Sequence, residues 1–191
     1  MKTLLAFIAC LLFSLASPAQ AKDSTALILI DIQAFYFPGG SLPLDNPEEA
    51  AQKAAELLKF FREKGGTVIH VGHLAKSGTE FHPLVKPREG EKILMKREVN
   101  AFLATDLDEF LRHQNVRHIV LCGMQTHMCL EGATRAAHDL GYHCTVAADA
   151  CATRDLSFGG IVTKAAEVHA ATLATLTSYA RVTTVSDIIG Q

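Results

Sequence analysis

From residue 26 onward, short runs of Ile, Leu and Val alternate with longer stretches whose apolar residues recur at helical spacing. That alternation restricts the fold more than any other feature of the chain. Residues 26–30 (ALILI) hold no polar side chain, as expected of a strand buried on both faces. Residues 67–71, 92–95, 116–122, 142–148 and 182–185 read as five further strands, and 47–64, 105–114, 127–140 and 162–178 as helices between them. The first helix opens on Pro47, Glu48 and Glu49, gathers Ala51, Ala54, Ala55, Leu57, Leu58, Phe60 and Phe61 on one side, and stops at Gly65 and Gly66. Thr105 is the expected cap of the second. Such an order predicts a three-layer α/β fold, a parallel sheet with right-handed crossovers and helices on both faces. No repeat, low-complexity stretch or linker interrupts it, so residues 22–191 read as a single domain.

The first 21 residues read differently. Met1 and Lys2 precede ten unbroken apolar residues, Leu4 to Phe13, too few to span a bilayer. Ser17 and Pro18 break any helix, and Ala19-Gln20-Ala21 supplies the small-x-small pattern of a cleavage site. Residues 1–21 are therefore expected to be a secretory signal, with the mature chain starting at Lys22 and working beyond the inner membrane, in the periplasm. The remainder offers no membrane segment. A formal charge of -2, without long runs of one sign, leaves no basic face for phosphates and argues against a nucleic-acid partner. Four cysteines survive removal of the signal: Cys122, Cys129, Cys144 and Cys151. An oxidising compartment permits bridges among them, and four cysteines allow three complete pairings between which sequence cannot choose.

In open parallel sheets, sites form beyond the carboxyl ends of the strands, where the strand order reverses. Three reactive side chains fall at such ends. Asp31 follows the first strand, Lys96 the third, and Cys129 lies six residues after Gly123, which ends the fourth. The stretch Gly123-Met124-Gln125-Thr126-His127-Met128-Cys129 reads as a strand-to-helix turn, so the sulfur is expected near the positive end of a helix and beside an ammonium. Both lower a thiol pKa, which predicts a thiolate at neutral pH. The three groups divide the work of covalent hydrolysis. Asp31 can take the thiol proton and return it to a leaving amine, Lys96 can hold the two anions in place, and Cys129 can attack a carbonyl. Backbone N–H groups of the turn are suited to the oxyanion.

The stretches ALILIDIQAF, KREVNAF and GMQTHMCLEGATRAAHDLGY, followed by VAADACATRDL, resemble the isochorismatase-like cysteine hydrolases. The resemblance runs from about residue 25 to 185 with its segments in family order. It implies Asp31, Lys96 and Cys129 as the catalytic triad and a six-stranded sheet ordered 3-2-1-4-5-6. It also implies a non-proline cis peptide between Met124 and Gln125, with the N–H groups of Gln125 and Cys129 forming the oxyanion hole. Homo-oligomers, dimers or tetramers, are common in the family.

Residues 31–42 (DIQAFYFPGGSL) look like the opening of nicotinamidases and put Tyr36 at the position of an aromatic pocket residue. Those enzymes carry an Asp-x-His metal motif after the second strand, where this chain has His70-Val71-Gly72-His73. Without the aspartate, no metal and no cofactor is expected, with His70, His73 and His82 as the alternative ligands. Family enzymes that split the vinyl ether of isochorismate lack the nucleophilic cysteine, so Cys129 favours cleavage of a C–N bond in a small amide through a thioester. Tyr36, Phe37, His73, Met124 and His127 are candidate pocket residues, and Phe35, Leu74 and Phe102 would add apolar lining. Two alternatives compete: an exported thiol redox or binding protein on the same fold, and a vinyl ether hydrolase in which Cys129 is incidental.

Overall fold

The computed structural model describes residues 24–190; the expected secretory segment, residues 1–21, lies outside them. Strands and helices follow one another as β1 (Ser24–Ile30), α1 (Pro47–Glu63), β2 (Thr67–His73), β3 (Lys92–Lys96), α2 (Leu107–His113), β4 (Val116–Met124), α3 (Glu131–Asp139) and β5 (His143–Ala152). They end with β6 (Leu156–Phe158), β7 (Ile161–Thr163), α4 (Ala165–Leu176), β8 (Ala180–Thr183) and α5 (Val185–Ile189). Six strands form one parallel sheet in the order β3-β2-β1-β4-β5-β8. Since β6 and β7 stand apart as a small hairpin, β8 is the sixth strand of the sheet, and the order is the one expected. Helices α1 and α5 pack against each other and β5, while α3 packs against α4 and α2 against β4.

β1 lies at the centre, and Ala26 to Ile30 are between 0% and 2% exposed, which explains the absence of polar residues there. The chain adds β2 and β3 on one side of it and β4, β5 and β8 on the other, all parallel, so the carboxyl ends of β1 and β4 form the switch point. Gly123 fixes how closely they meet. Its φ is +124°, and a Cβ added there would stand 2.0 Å from the Ile30 carbonyl oxygen.

The structure corrects several boundaries. Residues 162 and 163 belong to β7 and not to a helix: Gly159 and Gly160, both at positive φ, turn the chain between Phe158 and Ile161, and α4 starts only at Ala165. Val162, which opened the expected helix, is instead exposed on the hairpin together with Phe158 and Ile161. β5 continues to Ala152 after a register shift, beyond the expected end at 148. β8 ends at Thr183, because Thr184 caps α5 through its side chain to the Asp187 N–H. Asp106, not Thr105, is the cap position of α2; the Thr105 hydroxyl donates to Ala101 O and accepts weakly from the Leu107 N–H. Residues 126–130 form a wide π-type turn, and regular helix begins at Glu131. No helix among the described residues is long and apolar enough to cross a membrane. Cys122, Cys129, Cys144 and Cys151 are all free and buried.

Candidate active site

Asp31 is the first residue beyond β1. It sits at φ +48° with its N–H donated to Val71 O at 2.8 Å, which turns the side chain out of the strand direction. Lys96 is the last residue of β3, and Cys129 lies in the turn after β4. The sheet order brings these three distant positions together. Lys96 Nζ stands 2.8 Å from Asp31 Oδ2 and 3.2 Å from Cys129 Sγ. Asp31 is 0% exposed, Lys96 1% and Cys129 4%. A charged pair this deep persists only where each charge is compensated.

The third donor direction of Lys96 is also used, towards His73 Nδ1 at 3.1 Å. His73 ends β2 and pairs with Lys96 in register. Burial, and then the neighbouring Lys96 charge, push its pKa down, so the ring is neutral and Nδ1 accepts. Gln33 fixes this strand end. Its amide oxygen accepts from the His73 N–H at 2.7 Å, and its amide nitrogen donates to the carbonyls of His73 (3.2 Å) and Thr79 (2.6 Å).

The expectation of a preformed thiolate is overturned. Burial raises the Cys129 thiol first and the Asp31 carboxylate adds to it; Lys96 works in the opposite direction and loses, leaving the thiol pKa at about 12. Asp31 is raised as well, by burial against the pull of Lys96. The Cys129 thiol is therefore protonated at rest, with Lys96 Nζ between it and the Asp31 carboxyl group. Asp31 Oδ1 has no hydrogen-bond partner, and Cys129 Sγ lies within 4.8 Å of the carboxylate. A carboxyl oxygen without a hydrogen-bond partner thus lies close to a thiol.

The peptide bond between Met124 and Gln125 is cis, as the resemblance implied. The Gln125 amide donates to Tyr36 Oη at 3.3 Å and accepts from Arg154 Nε at 3.3 Å. Burial raises the Tyr36 phenol, so it remains protonated. His127 Nδ1 pairs with Thr153 Oγ1 at 2.5 Å, and burial together with the Arg154 charge lowers its pKa. The Thr153 contact holds the His127 ring in place, and the ring is neutral. Arg154 and Thr153 were inside a quoted sequence segment but not singled out there; the signal for Arg154 was a cation just beyond the carboxyl end of the fifth strand. Among the described residues no carboxylate pairs with Arg154.

The surroundings of the other expected pocket residues differ. Met124 is completely buried, Phe37 stacks on His82 with ring centroids 3.9 Å apart, and Phe102 stacks on Tyr142. Phe35 packs against Tyr36, and Leu74 is exposed. The three histidines weighed as metal ligands do not converge. His70 Nε2 meets Glu91 Oε2 at 2.8 Å, His82 meets Phe37, and of the three only His73 reaches Lys96. Among the described residues, Asp31, His73 and Cys129 form the one group whose ligand atoms could surround an ion, within 4.8 Å of one another. Lys96 Nζ already makes a close contact with each of them, so these residues do not fit a metal.

The Isochorismatase domain model matches residues 25–187. The chain is 42% identical to the uncharacterised isochorismatase-family protein YddQ of Bacillus subtilis over 84% of its own length and 96% of the relative's. A crystal structure of an isochorismatase hydrolase from Oleispira antarctica superposes with a TM-score of 0.86 at 41% identity, covering 91% of this chain and all of the other. Maleamate amidohydrolase of Pseudomonas putida is 29% identical over 73% of this chain and 83% of that enzyme. A fold, a sequence pattern and a matched domain that agree over almost all described residues leave one conclusion: the chain belongs to the isochorismatase-like cysteine hydrolase family.

Proposed function

We propose that this hydrolase cleaves the C–N bond of a small amide through a thioester on Cys129. The observation that carries the reading is the buried Lys96 ammonium within 2.8 Å of Asp31 and 3.2 Å of Cys129. As substrate enters, the Cys129 thiol gives its proton to Asp31 Oδ1 and the sulfur attacks the carbonyl carbon, forming a C–S bond. Lys96 offsets the new anion at the moment the carboxylate charge disappears. The N–H groups of Gln125 and Cys129 are the proposed donors to the tetrahedral oxyanion. Protonated Asp31 then hands its proton to the leaving nitrogen, the C–N bond breaks, and an amine or ammonia departs. Water, deprotonated by Asp31, attacks the thioester; the C–S bond breaks and the proton returns to sulfur. No step needs a metal or cofactor.

The substrate class follows from Arg154. An unpaired guanidinium at the rim favours an amide that also carries a carboxylate, and the similarity to maleamate amidohydrolase supports this reading. A panel of neutral and carboxylate-bearing amides, assayed by ammonia release, tests it. Turnover should favour the anionic members, and Arg154→Gln should raise their KM about tenfold or more while leaving neutral amides little changed. Preference for neutral amides in both proteins would overturn the substrate class, and absence of any ammonia release would overturn the amidase reading. On the sequence of residues 1–21 we further propose that this chemistry takes place after export, which N-terminal sequencing of the native protein checks: Lys22 is the expected first residue, and an intact Met1 start contradicts it.

A further inference from the structure

We infer that His73 is a positioning residue that completes the coordination of the Lys96 ammonium as a neutral acceptor, holding Nζ between Asp31 and Cys129 while charge passes from one to the other. The inference rests on the triad reading above and adds to it a fourth member that never bonds to substrate.

An ammonium has three N–H donors. Lys96 directs them to Asp31 Oδ2 at 2.8 Å, His73 Nδ1 at 3.1 Å and Cys129 Sγ at 3.2 Å. Two of these acceptors change during the reaction. Asp31 becomes neutral when it takes the thiol proton, and sulfur becomes first an anion and then a thioester. Only the His73 contact is the same in every state. Without it, Nζ would settle against the Asp31 carboxyl, 2.8 Å away, and draw back from sulfur at 3.2 Å, so the thiolate would form beside a displaced ammonium.

The type of acceptor matters as much as its place. A carboxylate at this position would hold Nζ equally well but would add a second anion beside sulfur and oppose thiolate formation. A neutral imidazole accepts without that cost. Its backbone is clamped by Gln33 on both the N–H and the carbonyl, and Leu74 N–H donates to Lys96 O at 2.8 Å, so the ring is tied to the same strand pair as the lysine. Charged groups facing the ring are Lys96 and Glu98 from β3 and the segment after it, and Asp31 beyond β1; Cys129 faces it from the nucleophile turn. Among the described residues none hydrogen-bonds Nε2, and the ring's hydrogen bond there is the one to Lys96.

The experiment compares the pH profile of Cys129 alkylation by iodoacetamide, read by mass mapping of the labelled peptide, in the wild-type protein and in His73→Leu, His73→Asn and Lys96→Ala. Asparagine places an amide oxygen near Nδ1 and keeps the acceptor, whereas leucine removes it. His73→Leu should slow alkylation at neutral pH about tenfold and move the profile to higher pH, and His73→Asn should restore most of the rate. On a turned-over amide, leucine should lower kcat more than it raises KM. Thermal melts of the same variants separate this from unfolding. Equal profiles for His73→Leu and wild type, or equal damage from Leu and Asn, would overturn the inference. If Lys96→Ala shifts the profile and His73→Leu does not, only the role of His73 fails. If Lys96→Ala also leaves it unmoved, the triad reading fails with it.

Discussion

The Lys96 ammonium lies 2.8 Å from Asp31 Oδ2, and both side chains are wholly buried. Taking two charges from water is costly, and breaking such a pair by removing one partner typically costs about 3–5 kcal/mol. The pair is therefore a poor device for stability alone, which agrees with the proton transfer proposed for Asp31. Asp31→Asn is expected to lower turnover by 100-fold or more, since the amide cannot accept the thiol proton, and to destabilise the fold by about 3 kcal/mol. Ammonia release and urea denaturation check the two effects. Turnover within tenfold of wild type would contradict the base role.

A second, half-buried network ties the second strand to the start of the third. Glu91 accepts from Arg62 Nε at 2.6 Å and Nη2 at 2.8 Å, from the Arg88 N–H at 2.8 Å, and meets His70 Nε2 at 2.8 Å. Burial pushes its carboxyl up, but these bonds together outweigh burial and hold the pKa at about 2, below the ordinary 4.5. A depressed folded-state pKa means that the stabilisation is fully present above pH 4.5 and lost as the pH falls from there towards 2. Glu91→Gln should cost about 2 kcal/mol at pH 7, and the difference from wild type should close across that acidic window. Denaturant midpoints measured from pH 7 to pH 2 test this, and a difference that stays constant with pH would contradict it.

Gly123→Ala is expected to damage both fold and activity. The new Cβ would fall 2.0 Å from Ile30 O, at a φ of +124° that L side chains rarely adopt, and the strands that carry Asp31 and the nucleophile turn would have to part. A loss of about 3 kcal/mol or more is expected, read from thermal or chemical melts. A variant as stable as wild type would show that β1 and β4 tolerate separation.

Dialysis against a strong chelator should leave turnover unchanged, because the one described group of ligand atoms already surrounds Lys96. Loss of turnover restored by zinc, iron or manganese would contradict the account of Lys96 as the cation of the site.

The alternation of buried strands with helices was enough to place the sheet, since a strand covered on both faces must be apolar throughout, as Ala26 to Ile30 are. Asp31, Lys96 and Cys129 were legible because each follows or ends a strand, and the sheet then gathers strand ends. Less legible were features that depend on neighbours distant in sequence. The β6–β7 hairpin carries a pattern that a helix shares, and only the two positive-φ glycines separate the readings. The protonated state of Cys129 follows from burial and from Asp31, 98 positions away in the chain, neither of which local sequence expresses. Arg154 acquires its meaning only when the chain beyond β5 returns to Gln125.

The most direct test of the central claim is intact-mass spectrometry of the enzyme quenched in acid during turnover of a carboxylate-bearing amide. The account predicts an adduct with the mass of the acyl group, mapped to the peptide containing Cys129, released by hydroxylamine and absent from Cys129→Ala, which should have no turnover. Cys129→Ala retaining wild-type turnover, or an acyl group mapped to Cys122, Cys144 or Cys151, would contradict it.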